Sequence, residues 1–432
     1  MEDKFKATWE SLDKRPIPQW YDDAKFGILL HWGVYSVPGI GSEWFWKNWS
    51  DGDQDAVSYM TRNYPPNFTY QDLARDFTAN LYEPESWATL FEKSGAKYVI
   101  LTGKHHDGYA LWPSQSAFCW NAKEVGPHRD ALGELCMAVR RKTALKFGIY
   151  YSQYEWFHPQ YQSDKLQNYT EDKFVSQKTL PEMTELVLKY RPDIFWSDGD
   201  GEAEDAYWKS TKFLAWLYND SPVKDTVVVN DKWGKGTAGR HGGYHNCGNN
   251  YNPRVLHKHK WENVMSIDKE SWGYRRNGKY EDYHTVKELI HMLVETVSCG
   301  GNLLMNIGPT GDGRIPYVFQ DRLLGVGQWL SVNGSAIYGT RPWIVQRDAL
   351  STVWYTASKS SVNAIVLEWP QNNTLVLRSA VSLFKEGTTV SLLGHSENLA
   401  WQHSNGHISI QFPDKATVEV SWAWVLQIQS DK

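Results

Sequence analysis

The first chemical feature of this chain is a carboxylate standing where an apolar strand ends. The segment Trp196-Ser197-Asp198-Gly199-Asp200 closes the run DIFWS, which brings Asp198 to the mouth of the fold with a glycine behind it. A carboxylate there suits nucleophilic attack or stabilisation of developing charge; the competing role is to cap the next helix. A second cluster, His105-His106-Asp107-Gly108, follows the run YVILTG, and His31 follows FGILL. Neighbouring residues of a strand point to opposite faces, so both histidines reach one ligand only if the chain bends at the strand end. No further His or Cys lies at metal-ligand spacing, so the three imidazoles read as partners for a hydroxyl-rich ligand and not as a metal site. The third cluster, Gly41-Ser42-Glu43-Trp44-Phe45-Trp46-Lys47-Asn48-Trp49, sets Glu43 among tryptophans. Indole faces carry negative quadrupole density, which receives the polarised C–H groups of a sugar ring. Taken together, these residues suggest a retaining glycosidase. Such an enzyme needs a nucleophilic carboxylate and a second carboxyl about 5–5.5 Å away.

These residues must be held by regular elements. Short apolar runs recur along the first part of the chain: FGILL, YVILTG, FGIYY, DIFWS, TVVVN and NLLMN. Between them lie segments with helical spacing, among them SWATLFEKSG, DALGELCMAVRRKT, LPEMTELVLKYRP and TVKELIHMLVETVSCGG. Buried β runs alternating with amphipathic helices imply a parallel sheet, and their number fits a (β/α) barrel of the TIM type with polar residues at the carboxyl ends of its strands. The alternative, a doubly wound open sheet, lacks a GxGxxG after the first strand. After about residue 338 the pattern changes to short β-rich runs separated by turn residues, such as TVWYTAS, AIVLEW and TVEVSWAWVLQI. This reads as an antiparallel β-sandwich, so the expected division is 1–338 and 339–432.

Composition excludes several classes. Of 432 residues 41% are hydrophobic and 22% charged, which is a globular composition and not a disordered one. A net charge of −5 argues against a nucleic-acid partner. No apolar run reaches the roughly 18 residues of a membrane span. The four cysteines, Cys119, Cys136, Cys247 and Cys299, form no CxxC pair and allow up to two disulfides. Sequons at Asn48, Asn67, Asn168, Asn219, Asn333 and Asn372 favour a secretory compartment. The opening MEDKFKATWE has no apolar signal region, so the expectation is a mature form. The chain holds more Trp (23) than Phe (15), an excess that sugar stacking or large cores would explain.

Several of these segments resemble glycoside hydrolase family 29, the α-L-fucosidases, most closely the animal lysosomal and secreted enzymes. The segments are Trp20 to Gly27, His31-Trp32-Gly33, Ser42-Glu43-Trp44, Lys104 to Gly108, Trp196 to Gly199 and Asn306-Ile307-Gly308-Pro309. The resemblance runs from about residue 8 through the C-terminal region. It implies hydrolysis of terminal α-L-fucose from glycoconjugates with retention, no cofactor, a lysosomal or secreted setting and a homo-oligomer. It assigns Asp198 as the nucleophile. His31, Glu43, Trp44, His105, His106 and Tyr150 would hold the fucose hydroxyls, with Tyr151 as the alternate for Tyr150, and Trp196 would face the C5 methyl.

Two positions depart from the family pattern. Lys232, in Asn230-Asp231-Lys232-Trp233-Gly234, replaces an Arg and keeps its charge but not its forked geometry. Asn249 stands where the animal relatives carry the acidic acid/base, and no Asp or Glu occurs between Asp231 and Glu262. Three explanations stand side by side. Glu262 is the acid/base, or is instead a structural carboxylate at a strand start. Asn249 marks an inactivated enzyme, a fucose-binding protein without full turnover. Or His245 supplies the proton.

Overall fold

The computed structural model describes residues 4–429. Seven parallel strands form its central sheet: β1 Phe26–Leu30, β2 Tyr98–Lys104, β3 Lys146–Ser152, β4 Ile194–Asp198, β5 Val228–Val229, β6 Trp261–Ser266 and β7 Gly301–Ile307. Their order is β5-β4-β3-β2-β1-β7-β6. The two edge strands are joined by the segment 243–246. The Tyr244 amide donates to the Val229 carbonyl (3.0 Å), His245 to Lys260 (2.9 Å), and Glu262 back to His245 (2.8 Å). This segment stands in the place of a further strand and closes the ring, as a TIM-like barrel requires. Strand β6 lies outside the apolar runs read from the sequence, because Glu262 and Asn263 interrupt it; both are buried.

The helices form where the sequence supplies both an apolar stripe and end signals. Asp130 caps the helix Ala131–Lys142 by accepting the Gly133 amide (2.9 Å). Thr285 and Glu288 form a reciprocal capping box at the start of Val286–Ser298. That helix ends before Gly300, whose φ of +85° suits glycine after a helix C-terminus. Its buried face, with Leu289, Ile290, Leu293, Val294 and Val297, packs on the sheet. Each such side chain contributes about 1.5–3 kcal/mol on burial.

The barrel interior holds its own aromatic cluster, with Tyr98, Tyr150, Trp196, Tyr244 and, from the preceding helix Gln19–Ala24, Tyr21. The C-terminal part is antiparallel. A five-stranded sheet has the order β12-β15-β10-β9-β8, and a three-stranded one has the order β11-β14-β13. The strands are β8 Arg341–Arg347, β9 Val353–Ala357, β10 Val362–Val366, β11 Thr374–Leu377, β12 Thr389–Leu392, β13 Trp401–Ser404, β14 His407–Gln411 and β15 Trp424–Gln429. Their inner faces enclose Tyr355, Leu377, Ile408 and Leu426, which makes the expected sandwich. It is fastened to the barrel by the Trp329 indole donating to the Ala423 carbonyl (2.9 Å) and by Arg341 on Asp23 (2.8 Å).

The sulfurs and sequons sort by burial. All four cysteines are free thiols. Asn67, Asn168 and Asn372 are exposed. Asn333 is fully buried, and its amide donates to the Trp329 carbonyl (3.1 Å), so its sequon cannot accept a glycan in the folded chain. Among the described residues no helix is long and apolar enough to cross a membrane.

Candidate active site

A cavity of about 560 Å³ opens at the carboxyl ends of the barrel strands. Of the residues singled out from the sequence, His31, Glu43, Trp44, His105, His106, Tyr150, Trp196, Asp198, Lys232 and Asn249 all line it. Strand alternation accounts for much of this set. Trp196 and Asp198 lie two residues apart on β4 and face inward together. On β3, Tyr150 faces the cavity and donates from its hydroxyl to Asp198 Oδ2 (2.6 Å). Tyr151 faces away, onto Glu182 (2.8 Å) and Lys104 (3.0 Å). Of these two tyrosines, Tyr150 is the one that lines the cavity.

Asp198 is held as an anion. Burial alone would raise its pKa, but Lys232 at 3.3 Å, the Tyr150 hydroxyl and the Gly199 amide together hold it well below the usual carboxylate range. Lys232 also lies over the Trp196 ring, 4.6 Å from its centroid. Lysine therefore makes a single contact to the carboxylate, where a guanidinium could make two.

The histidines are neutral and their tautomers follow from their partners. Asn306 donates from Nδ2 to Ser266 Oγ (3.0 Å) and the Trp272 carbonyl (2.7 Å), so its Oδ1 must accept from His31 Nδ1 (2.7 Å). This leaves His31 Nε2 as an acceptor. Ser152 spends its hydroxyl proton on the Tyr154 carbonyl (2.8 Å) and accepts from His106 Nδ1 (2.7 Å). His106 Nε2 is likewise left as an acceptor. Burial lowers the pKa of His31, and lowers that of His106 to about 4. Burial, with His106 and His31 beside it, puts His105 well below its ordinary value. His105 stacks on Tyr150 (5.7 Å, 12°), and its Nδ1 has no partner among the described residues.

Glu43 is fixed from the opposite side. Its Oε2 accepts the amides of Trp272 and Gly273, each at 3.0 Å, which leaves Oε1 for a ligand. Close packing of Gly308 sets this loop, since a Cβ at Gly308 would lie 2.4 Å from the Tyr274 nitrogen. Trp44 sits at the rim, 39% exposed, with its ring edge-on to His106 (5.6 Å) and to Trp156 (5.1 Å).

Two sequence candidates lie elsewhere. Glu262 is fully buried beneath the cavity and does not line it. Its carboxylate accepts from Tyr21 (2.7 Å), Tyr98 (2.7 Å), the Trp196 indole (3.0 Å) and Asn246 (3.1 Å). Four donors saturate a carboxylate. Glu262 thus orients Trp196 from behind. His245 also lies outside the cavity lining, stacked on His259 (3.8 Å), with its pKa lowered to about 4 by burial and that neighbour.

The sequence reading gave no role to Tyr154, Asp200, Glu202, Lys235 and Trp272, which also line the cavity. A signal existed for two of them, because Asp200 and Glu202 continue the alternation of acidic residues with glycine after Asp198. Tyr154 and Trp272 carry no such mark and arrive through tertiary packing. Asn306, which sets the His31 tautomer, lay inside a recognised motif without an assigned task. Among the described residues no group of three His, Cys, Asp or Glu side chains could hold a metal ion.

The chain matches the family model described as alpha-L-fucosidase over residues 1–335, and the one described as alpha-L-fucosidase C-terminal domain over 346–429. It is 53% identical to an alpha-L-fucosidase of Branchiostoma floridae, over 99% of this chain and 96% of that one. It is 52% identical to the plasma alpha-L-fucosidase of Rattus norvegicus, over 98% and 94%. Among solved structures, the alpha-fucosidase of Thermotoga maritima in complex with fucose superposes with a TM-score of 0.85 at 33% identity, covering 98% of this chain and all of that one. With both its barrel and its sandwich matched along nearly the whole length, the chain belongs to the α-L-fucosidase family of glycosidases.

Proposed function

We propose that the chain is a retaining, exo-acting α-L-fucosidase that removes terminal fucose from glycoconjugates through a covalent intermediate on Asp198. The observation that carries this reading is the carboxylate of Asp198, kept ionised by Lys232 and Tyr150 within a cavity lined by acceptors. A nucleophile must be ionised before substrate arrives, and this one is. Fucose offers hydroxyl protons, and His31 Nε2, His106 Nε2 and Glu43 Oε1 are free to accept them. Trp196 supplies the apolar face for the C5 methyl, and Trp44 closes the rim. No step calls for a cofactor.

The proposed first step forms a bond from an Asp198 oxygen to the anomeric carbon as the glycosidic bond breaks; water then displaces Asp198, which restores the original anomeric configuration. Changing Asp198 to Ala should abolish turnover of an aryl α-L-fucoside, and NMR of the first product should show the α-anomer. Undiminished turnover, or β-fucose as the first product, refutes the assignment. The rat relative's name and the exposed sequons support a secretory setting.

Asn249 favours a second reading. It is an exposed rim residue with no acidic proton, as in a protein that binds fucose without full turnover. Calorimetric binding of fucose with no hydrolysis of any fucoside would select that reading.

A further inference from the structure

Retaining hydrolysis needs a proton for the departing oxygen, and neither Asn249 nor Glu262 can deliver one into this cavity. Resting on the retaining mechanism just set out, we propose that Asp200 is the general acid/base of this enzyme.

Four carboxyls border the cavity: Glu43, Asp198, Asp200 and Glu202. Asp198 is the ionised nucleophile. Glu43 is tied to two backbone amides and faces the hydroxyl-binding histidines. Glu202 accepts from Tyr161 (2.5 Å), Lys165 (2.7 Å) and Tyr169 (3.2 Å), and though burial opposes it these donors hold its pKa below the ordinary value. Asp200 differs from all three. It is 8% exposed, its Oδ2 accepts only the Gly234 amide (2.7 Å), and no side chain binds either oxygen. Burial and the neighbouring Asp198 charge raise its pKa to about 6, against the opposing Gly234 amide and Lys232. Tyr154, itself raised to a very weak acid by burial, faces the same two aspartates. His31 and His106 present acceptors to the cavity, and the Tyr150 proton is committed to Asp198. Among these four carboxyls Asp200 is therefore the one left without a side-chain donor and able to carry a transferable proton at mildly acidic pH.

Placement supports the same role. Asp198 ends β4, and Gly199 follows with φ +66°, a left-handed turn in which a Cβ would fall 2.7 Å from Ser152 Oγ. The turn brings the carboxyls of Asp198 and Asp200 to one cavity from a single strand end. In the first step an Asp198 oxygen attacks the anomeric carbon, the bond to the aglycone oxygen breaks with its electron pair going to that oxygen, and the Asp200 proton neutralises it. In the second step the Asp200 carboxylate takes a proton from water, the resulting hydroxyl attacks the anomeric carbon, and the ester electron pair returns to Asp198.

The test compares Asp200→Asn with the unaltered enzyme on aryl α-L-fucosides of graded leaving-group acidity, with and without azide. The variant should lose about 10²–10⁴-fold on poor leaving groups and little on activated ones. It should lose the fall of kcat/KM above about pH 6, and azide should accelerate it with formation of α-L-fucosyl azide. A merely structural role for Asp200 moves none of these readouts. Asp200→Glu, which keeps the acid, should retain the shallow leaving-group dependence, and a steep dependence in that variant counts against the role. Trapping with a 2-fluoro-fucosyl fluoride separates the two layers. Failure to label Asp198 in the unaltered enzyme overturns the retaining mechanism. Labelled Asp198, with an Asp200→Asn variant that keeps the shallow dependence and forms no azide product, overturns the role of Asp200 alone.

Discussion

Replacing Lys232 with Met should move the acid limb of kcat/KM upward by about 1–3 pH units, because a cation that close to a carboxylate depresses its pKa by that amount. The magnitude comes from the contact itself. Lys232 Nζ lies 3.3 Å from Asp198 Oδ1, and both side chains are mostly buried, at 16% and 24% exposure. At an effective dielectric of about 20, two unit charges at this distance attract by about 5 kcal/mol. Methionine keeps the length and the contact with Trp196 but removes the charge. Water entering from the cavity and the remaining Tyr150 hydrogen bond recover part of the loss, which leaves about 1.4–4 kcal/mol for the ionisation. The sign follows from the direction of the shift. Asp198 is depressed in the folded chain, so its ionised form persists far into acid; without Lys232 it protonates earlier as pH falls. The assay is the pH dependence of kcat/KM on a fucoside with an activated leaving group, so that acid assistance does not mask the titration of Asp198. An acid limb that stays in place in the Lys232→Met enzyme would refute the claim that Lys232 keeps Asp198 charged.

Three further outcomes test other parts of the structure. Changing Glu262 to Gln turns an amide donor toward four donors and should cost about 1–3 kcal/mol, seen as a lower Tm; a steepened leaving-group dependence in that variant would instead give Glu262 a part in proton transfer. Changing Gly308 to Ala should push the Trp272–Tyr274 loop off Glu43 and raise KM together with a loss of stability, since the added carbon meets backbone at 2.4 Å; an unchanged KM would refute that coupling. After expression in a secretory host, glycopeptide mapping should find glycan on exposed sequons such as Asn67, Asn168 and Asn372 and none on Asn333. A glycan on Asn333 would contradict its burial.

Much of the architecture was legible because it rests on periodicity. Apolar runs such as FGILL and FGIYY are buried on both faces of a parallel strand, and the helices between them carry their own caps. Strand β6 escaped that logic, because a barrel interior can hold a carboxylate once Tyr21, Tyr98, Trp196 and Asn246 surround it, and those donors come from four distant segments. The segment that closes the ring, 243–246, has no strand pattern either; its place is set by the edges it bridges.

The site divides in the same way. Residues that follow apolar strands, His31, His105, His106 and Asp198, were readable from sequence, since a strand ending in polar groups delivers them to one mouth. What the sequence could not carry is protonation. The tautomers of His31 and His106 depend on Asn306 and Ser152. The charge of Asp198 depends on Lys232, and the proton on Asp200 depends on its burial beside Asp198. Ionisation is decided by desolvation and by charges a few ångströms away, and those distances exist only after the chain has folded. The sequence alone therefore determined which functional groups meet at the strand ends. The tertiary structure decided which of them hold protons, which are charged, and which, like Glu262, lie beneath the cavity among four donors.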